Sequence, residues 1–369
     1  MNNILACVGA FGFLLMLSVG ISSLSGGMLS VLYVLTNYFT MGVGIRLFVV
    51  ILLCFIVILA TFLYKKRGSI TFRKIVPVFL GMVLLLAFVA AVPAVTEFVE
   101  TVTAQHRLSK EDRDEIEAVR NALIDEGHIV HAAGFIEKTD GETVNYTSCV
   151  EALNNCYDMG NRFCELDFLN TTDGKLVCAH EWKQLYDNGE PLSEAVSLEK
   201  ALTCKVEGEF TPLDLEQLVD FLREHENLYI VTDIKHDYNV DGAKLIAETC
   251  PDLLDRFIIQ VYHEKEAGIV EKIGFRNIIF TLYRTDEAER SPRAIRHAAL
   301  KHDFVAWTVK KSLIDEEFVS MIDENNGILF THTINDPEKM KEFIALGVDG
   351  FYSDIVMWDD IKKELENGK

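Results

Sequence analysis

From residue 128 to the C-terminus, short β-forming runs alternate with amphipathic helical stretches, and this alternation constrains the fold more than any other feature of the chain. Runs at 128–132, 162–168, 228–234, 257–261, 277–282, 304–308, 327–332 and 350–352 read as eight strands. Apolar residues at helical spacing fill most of the gaps, at 148–159, which opens on a Ser148/Glu151 capping box, and at 214–224, 242–250, 264–273, 287–299, 313–325 and 337–346. Parallel strands need a long crossover between them, so strand, helix, strand in repetition predicts a parallel sheet wrapped by helices. Eight such strands fit a closed (β/α)₈ TIM barrel better than an open doubly wound sheet, which usually has fewer strands and often a glycine-rich phosphate turn, absent here. In such a barrel the chemistry lies at the C-terminal ends of the strands.

The second strand and the hairpin after it read F-C-E-L-D-F-L-N-T-T-D-G-K-L-V-C-A-H-E-W over 163–182. Side chains two apart on a strand share a face, so Glu165 and Asp167 project together while Cys164 and Leu166 face the other way. Asp173-Gly174 predicts a tight turn, and the apolar run 176–179 returns the chain to bring His180 near the carboxylates. His131 falls at the end of the first strand, and Asp233 with Lys235 at the end of the third. Three carboxylates supply hard oxygen ligands, two imidazoles suit proton transfer near neutral pH, and Lys235 offers a fixed charge to a developing oxyanion. Taken singly, each has a plainer reading as a solvated pair, an ordinary histidine or a salt bridge. Taken together, so many charges at three consecutive strand ends call for a compensating cation.

Charge divides the chain in two. Residues 1–96 hold six basic residues and no acidic one, whereas 97–369 hold 29 Lys and Arg against 56 Asp and Glu. So acidic a domain is repelled by nucleic acid and by anionic headgroups, which excludes a nucleic-acid-binding surface and leaves a phosphate site in need of a cation. Apolar stretches at 4–21, 47–64 and 75–95 read as about three membrane spans. The apolar segment 28–45, softened by Asn37, Gly42 and Gly44, reads as re-entrant, interfacial or an extension of the second span. Five of the six early basic residues lie in the loop 65–74, and short basic loops stay in the cytoplasm. The expected arrangement is a multi-pass anchor in the cell membrane, 1–96, with the acidic domain on the extracytoplasmic side. A linker or stalk comes next at 97–127, whose helix starts at Ser109 with Asp112 three residues on, ends at Gly127 and reads as a stalk or docking helix. The domain then runs 128–369. Its six cysteines match no zinc spacing and allow 15 disulfide connectivities; buried free thiols are an equal reading.

In order and spacing these pieces resemble the glycerophosphodiester phosphodiesterase family, within a superfamily shared with sphingomyelinase D-like and phosphatidylinositol-specific phospholipase C-like phosphodiesterases. H-A-A-G at 131–134 is similar to the family's H-R-G, C-E-L-D-F to its E-x-D, H-E-W to its second histidine and D-I-K at 233–235 to its E-x-K. T-I-N-D-P at 333–337 and G-V-D-G-F-Y-S-D at 347–354 resemble its closing segments. The resemblance implies metal-dependent phosphodiester cleavage with His131 and His180 catalytic. It also implies that Glu165, Asp167 and Asp233 hold one divalent cation, Mg²⁺ or Ca²⁺, and that Lys235 contacts the phosphate. Two departures stand out, for the arginine of H-R-G is Ala132 and the glutamate before the first crossover helix is Thr147. The expected substrate is a small phosphodiester, a lipid headgroup or a glycerophosphate wall polymer. A sphingomyelinase D-like lyase and an inactive headgroup-binding membrane protein are the alternatives.

Overall fold

The computed structural model of the protein describes residues 108–235 and 238–367. The expected spans at 4–21, 47–64 and 75–95 and the segment 28–45 lie outside the described residues. Among the described residues no helix is long and apolar enough to cross a membrane. The described part belongs to one compact unit, His106–Lys369.

Eight parallel strands form its centre: β1 His128–Val130, β2 Phe163–Asn170, β3 Tyr229–Ile234, β4 Phe257–Val261, β5 Ile278–Thr281, β6 Ala306–Lys310, β7 Leu329–His332 and β8 Gly350–Ser353. Each pairs with the next, and β1 pairs with both β2 and β8, so the sheet closes into the expected barrel. Closure removes both sheet edges. Before β1 lies helix α1, Lys110–Glu126. The crossovers carry α2 Val150–Asp158, α3 Leu215–Glu224, α4 Asn239–Thr249, α5 Glu264–Ile273, α6 Pro292–Lys301, α7 Glu316–Asp323 and α8 Pro337–Leu346, and α9 Trp358–Asn367 comes after β8.

Apolar side chains divide between two cores. One lies between strands and helices, where Cys164, Leu166 and Phe168 of β2 meet Leu153 of α2 and Leu218 and Leu222 of α3. The other fills the lower barrel, where Ile129, Phe163, Val231, Ile258, Ile279 and Phe330 close on Ile116, Val119 and Leu123 of α1. Of the two readings of this helix, stalk or docking helix, the packing is that of a docking helix, set as a plug under the barrel. Ser109 and Asp112 cap its start reciprocally, and Gly127, at φ 65°, ends it in the left-handed conformation that glycine adopts without strain. Arg120 donates to the carbonyls of Phe304 and Asn326, at the lower ends of β6 and β7.

Several local expectations shift. Ser148 does not cap α2. Its Oγ instead accepts from the Asp167 N–H at 3.2 Å, the Cys149 sulfur caps the helix, and Glu151 accepts from Thr211. Helix α6 begins at Pro292 after the cap Ser291, because Asp286 and Glu289 close a turn of their own that holds the preceding residues out of the helix. All six cysteines of the domain are buried free thiols.

Candidate active site

Register places the carboxylates. Parallel neighbours in register put like faces side by side, and β2 pairs with β3 so that Asp167 lies opposite Asp233 and Glu165 opposite Val231. Glu165 and Asp167 point into the barrel, both buried, as the alternation predicts. One ligand atom from each of Glu165, Asp167 and Asp233 lies within 4.8 Å of the others. Lys235 forms ion pairs with both Asp167 and Asp233. Tyr262, just past β4, donates its hydroxyl to Asp233. Glu165 accepts from the backbone N–H of Ala132 at 2.7 Å.

The turn after Asp173-Gly174 forms as expected, with Gly174 at φ 72°. The strand Leu176–Cys178 then runs back antiparallel to the end of β2 and brings His180 over it. His180 Nδ1 lies 3.0 Å from Asp167 Oδ1. On the other side of the site His131, in the turn after β1, places Nδ1 2.8 Å from Asp354 Oδ1. Asp354 is buried after β8 and also accepts from Asn335 at 2.6 Å and Asn145 at 3.2 Å. All six residues singled out by sequence thus come together at the C-terminal mouth of the barrel. His131, Glu165, His180, Asp233 and Lys235 line one cavity of about 740 Å³.

The local fields separate these groups. Burial and the charge of Asp167 push the Glu165 carboxyl well above the usual carboxylate range. Asp167 is lowered despite its burial, because His180 and Lys235 both favour its ionised form. Burial opposes charge on His131, but the hydrogen bond to Asp354 and the charge of Glu165 outweigh it and raise its pKa. Asp354 is lowered in turn: burial works against its charge, and the bond to His131 prevails.

The donor set fits a hard cation on an observation of its own. Asp167 Oδ2 is fully buried and has no hydrogen-bond partner among the described residues, a cost that a ligand bond would remove. Burial and, after it, the neighbouring charge of Asp167 make Glu165 resist ionising, and a cation would offset both.

Four further residues border the site without having been singled out. Asp354 ends the G-V-D-G-F-Y-S-D segment, so its position was legible but not its bond to His131. Tyr146 sets its ring between the two imidazoles, 4.6 Å from His131 and 4.7 Å from His180. His332 and Arg284 line the far wall of the cavity. Nothing in their local sequence marks the last three, because only barrel closure brings them to the site. At the two departures, Ala132 takes φ 47° in the turn that aims His131, and Thr147 is buried, its hydroxyl accepting from Cys149 at 3.5 Å.

Comparison with known proteins decides the family. The model of the Glycerophosphoryl diester phosphodiesterase family matches residues 145–357, more than half of the chain. The chain belongs to this family. It is an enzyme of the glycerophosphodiester phosphodiesterase class, and the family binds a divalent metal. No curated protein sequence matches it. Among solved structures, a glycerophosphoryl diester phosphodiesterase of Silicibacter pomeroyi aligns at TM-score 0.52 and 15% identity, over 65% of this chain and 93% of its own. One from Parabacteroides distasonis aligns at TM-score 0.50 and 18% identity, over 66% and 98%. An Oleispira antarctica phosphodiesterase, solved with the product sn-glycerol-3-phosphate, aligns at TM-score 0.50 and 13% identity, over 65% and 96%. At these identities the likeness speaks for the barrel fold of this glycerophosphodiester phosphodiesterase relative.

Proposed function

We propose that this enzyme hydrolyses glycerophosphodiesters, or related lipid or wall glycerophosphoryl substrates, to glycerol phosphate and an alcohol, with His131 and His180 as its acid–base pair. The observation that carries the reading is the paired geometry. Two imidazoles from different loops border one cavity, each aligned through Nδ1 by a buried carboxylate, beside three carboxylates that can hold one divalent cation. An Nδ1–H bound to a carboxylate leaves Nε2 to take or give a proton, as in other carboxylate-oriented histidines. The raised pKa of His131 suits it to start protonated and to protonate the leaving alcohol. His180 is then the base that removes a proton from the substrate hydroxyl neighbouring the phosphate. That oxygen attacks phosphorus, the bond to the leaving alcohol breaks, and a cyclic phosphate forms. Water then opens the ring, with the imidazoles exchanging roles.

Glu165, Asp167 and Asp233 would hold Mg²⁺ or Ca²⁺, which when bound would supply charge stabilisation for the non-bridging oxygens. Lys235 adds a fixed ammonium beside it, raised well above its usual range by Asp167 and Asp233 despite burial. The basic loop at 65–74 and the three apolar stretches support a multi-pass membrane anchor with the barrel outside the cytoplasm. Such a site would meet headgroups or wall polymers at the outer surface. The test is product analysis by phosphorus NMR, with added Mg²⁺ or Ca²⁺, on a panel of glycerophosphodiesters. Glycerol phosphate is expected, a cyclic end product would make the enzyme a lyase, and no turnover across the panel would overturn the reading.

A further inference from the structure

The cavity is lined by more positive charge than the proposed mechanism uses. His131 faces Asp354, Lys183 pairs with Glu181 at 2.6 Å, and Lys235 lies between Asp167 and Asp233. Burial lowers the His332 pKa to about 4, so that imidazole is neutral near pH 7. Arg284 remains. Among the described residues that line the cavity it is the one permanent cation with no carboxylate partner. It comes just after β5 in chain order and is exposed at the cavity wall across from β1.

Arg284 does not wave freely. Its guanidinium carbon sits 4.0 Å from the centre of the Tyr262 ring and 5.3 Å from that of Tyr283. The first is a stacking distance; the guanidinium also hydrogen-bonds the Tyr283 side chain, and its remaining in-plane N–H donors are left for an oxyanion. Tyr262 in turn donates to Asp233. One phenol ring therefore separates the guanidinium from the acidic cluster.

Charge gives this placement a purpose. Glu165, Asp167 and Asp233 bear three negative charges when ionised, and Lys235 with one divalent cation returns three positive ones. His131 and Asp354 form a neutral pair. A phosphodiester enters with one negative charge that these groups leave unbalanced, and an unpaired charge in a partly dehydrated cavity is costly. We propose that Arg284 binds a non-bridging oxygen of the scissile phosphate from the β5 side, as a substrate-binding residue of this enzyme. The proposal rests on the phosphodiesterase reading. It assigns to the loop after β5 a guanidinium contact that Ala132, in the turn after β1, has no side chain to make.

The test compares the full-length enzyme with Arg284→Gln and Arg284→Lys. Turnover is followed on glycerophosphodiesters with cationic, neutral and anionic headgroups, and glycerol 3-phosphate binding is measured by calorimetry. A charge-assisted hydrogen bond of ordinary strength predicts that Arg284→Gln lowers kcat/KM by about 10- to 10²-fold, alike for all three headgroups. Glycerol 3-phosphate should bind correspondingly more weakly, bound metal should be unchanged, and Arg284→Lys should recover part of the loss. Wild-type values in Arg284→Gln, a loss confined to the anionic headgroup, or a loss of metal in parallel would each overturn the assignment. A wild-type enzyme that turned over none of the diesters would instead sink the phosphodiesterase reading, and glycerol 3-phosphate binding would still decide for or against Arg284.

Discussion

At the scale of single residues, each of the two candidate catalytic imidazoles is held through Nδ1 by a buried carboxylate, His131 by Asp354 and His180 by Asp167. If His131 and His180 are acid and base, replacing either with Ala should slow turnover roughly 10²–10⁴-fold. Substrate binding should weaken far less. A nitrophenyl diester, whose leaving group needs little protonation, should rescue His131→Ala and leave His180→Ala slow, and the reverse pattern would exchange the two roles. His128 lies three residues before His131 and serves as the contrast: fully buried, it stacks on Trp358 at 4.1 Å and borders no part of the cavity. Its burial lowers the pKa from 6.5 to about 3. The unfolded chain therefore binds the proton that the folded one refuses, so stability falls as pH drops below 6.5 toward 3. The slope from this one group approaches about 1.4 kcal/mol per pH unit. His128→Phe should keep the ring stack and the activity and show a shallower acid loss in urea midpoint; an unchanged acid limb would refute this account.

At the scale of elements, the arrangement separates support from chemistry. Helix α1 closes the lower barrel with Ile116, Val119 and Leu123, while the site stands at the opposite end of the strands. Leu123 is fully buried, so Leu123→Ala should cost about 2–5 kcal/mol in urea unfolding. Activity below the transition should be unaffected, and a large loss of kcat in the folded protein would show the two ends to be coupled. The periodicity that identified α1 was plain in the sequence, yet its task was not: an amphipathic helix shows that it buries one face, not what covers that face. The strands were the most legible elements, since buried parallel strands read as short apolar runs. Helix starts were less so. Ser148 looks like a cap by type and spacing, and only the approach of β2 gives its hydroxyl the Asp167 N–H instead.

At the scale of the whole molecule, the acidic cluster and the proposed membrane topology each carry an expectation. Glu165→Ala, Asp167→Ala and Asp233→Ala should each abolish bound divalent metal and activity without unfolding the protein, because removing one carboxylate relieves repulsion in the metal-free cluster. Metal content by atomic emission and the thermal midpoint check both halves, and full turnover after confirmed metal removal by EDTA would exclude a metal role. The apolar stretches and the basic loop lead to the second expectation. A reporter active only in the cytoplasm, fused after Lys369, should be silent, and a bright signal would reverse the proposed orientation.

The sequence by itself determined what depends on near neighbours along the chain. The alternation of periods, the shared face of Glu165 and Asp167, the turn that returns His180 and the charge asymmetry all arise within a few residues or from composition. The tertiary structure decided what depends on closure. His131 meets Asp354 across 223 residues because β8 pairs with β1, and Asp167 meets Asp233 because β2 and β3 are in register. Tyr146, Arg284 and His332 reach the same cavity from three other parts of the chain. No local pattern encodes such meetings, since a strand's sequence specifies which face is buried but not which residue the ring of eight strands will set across from it.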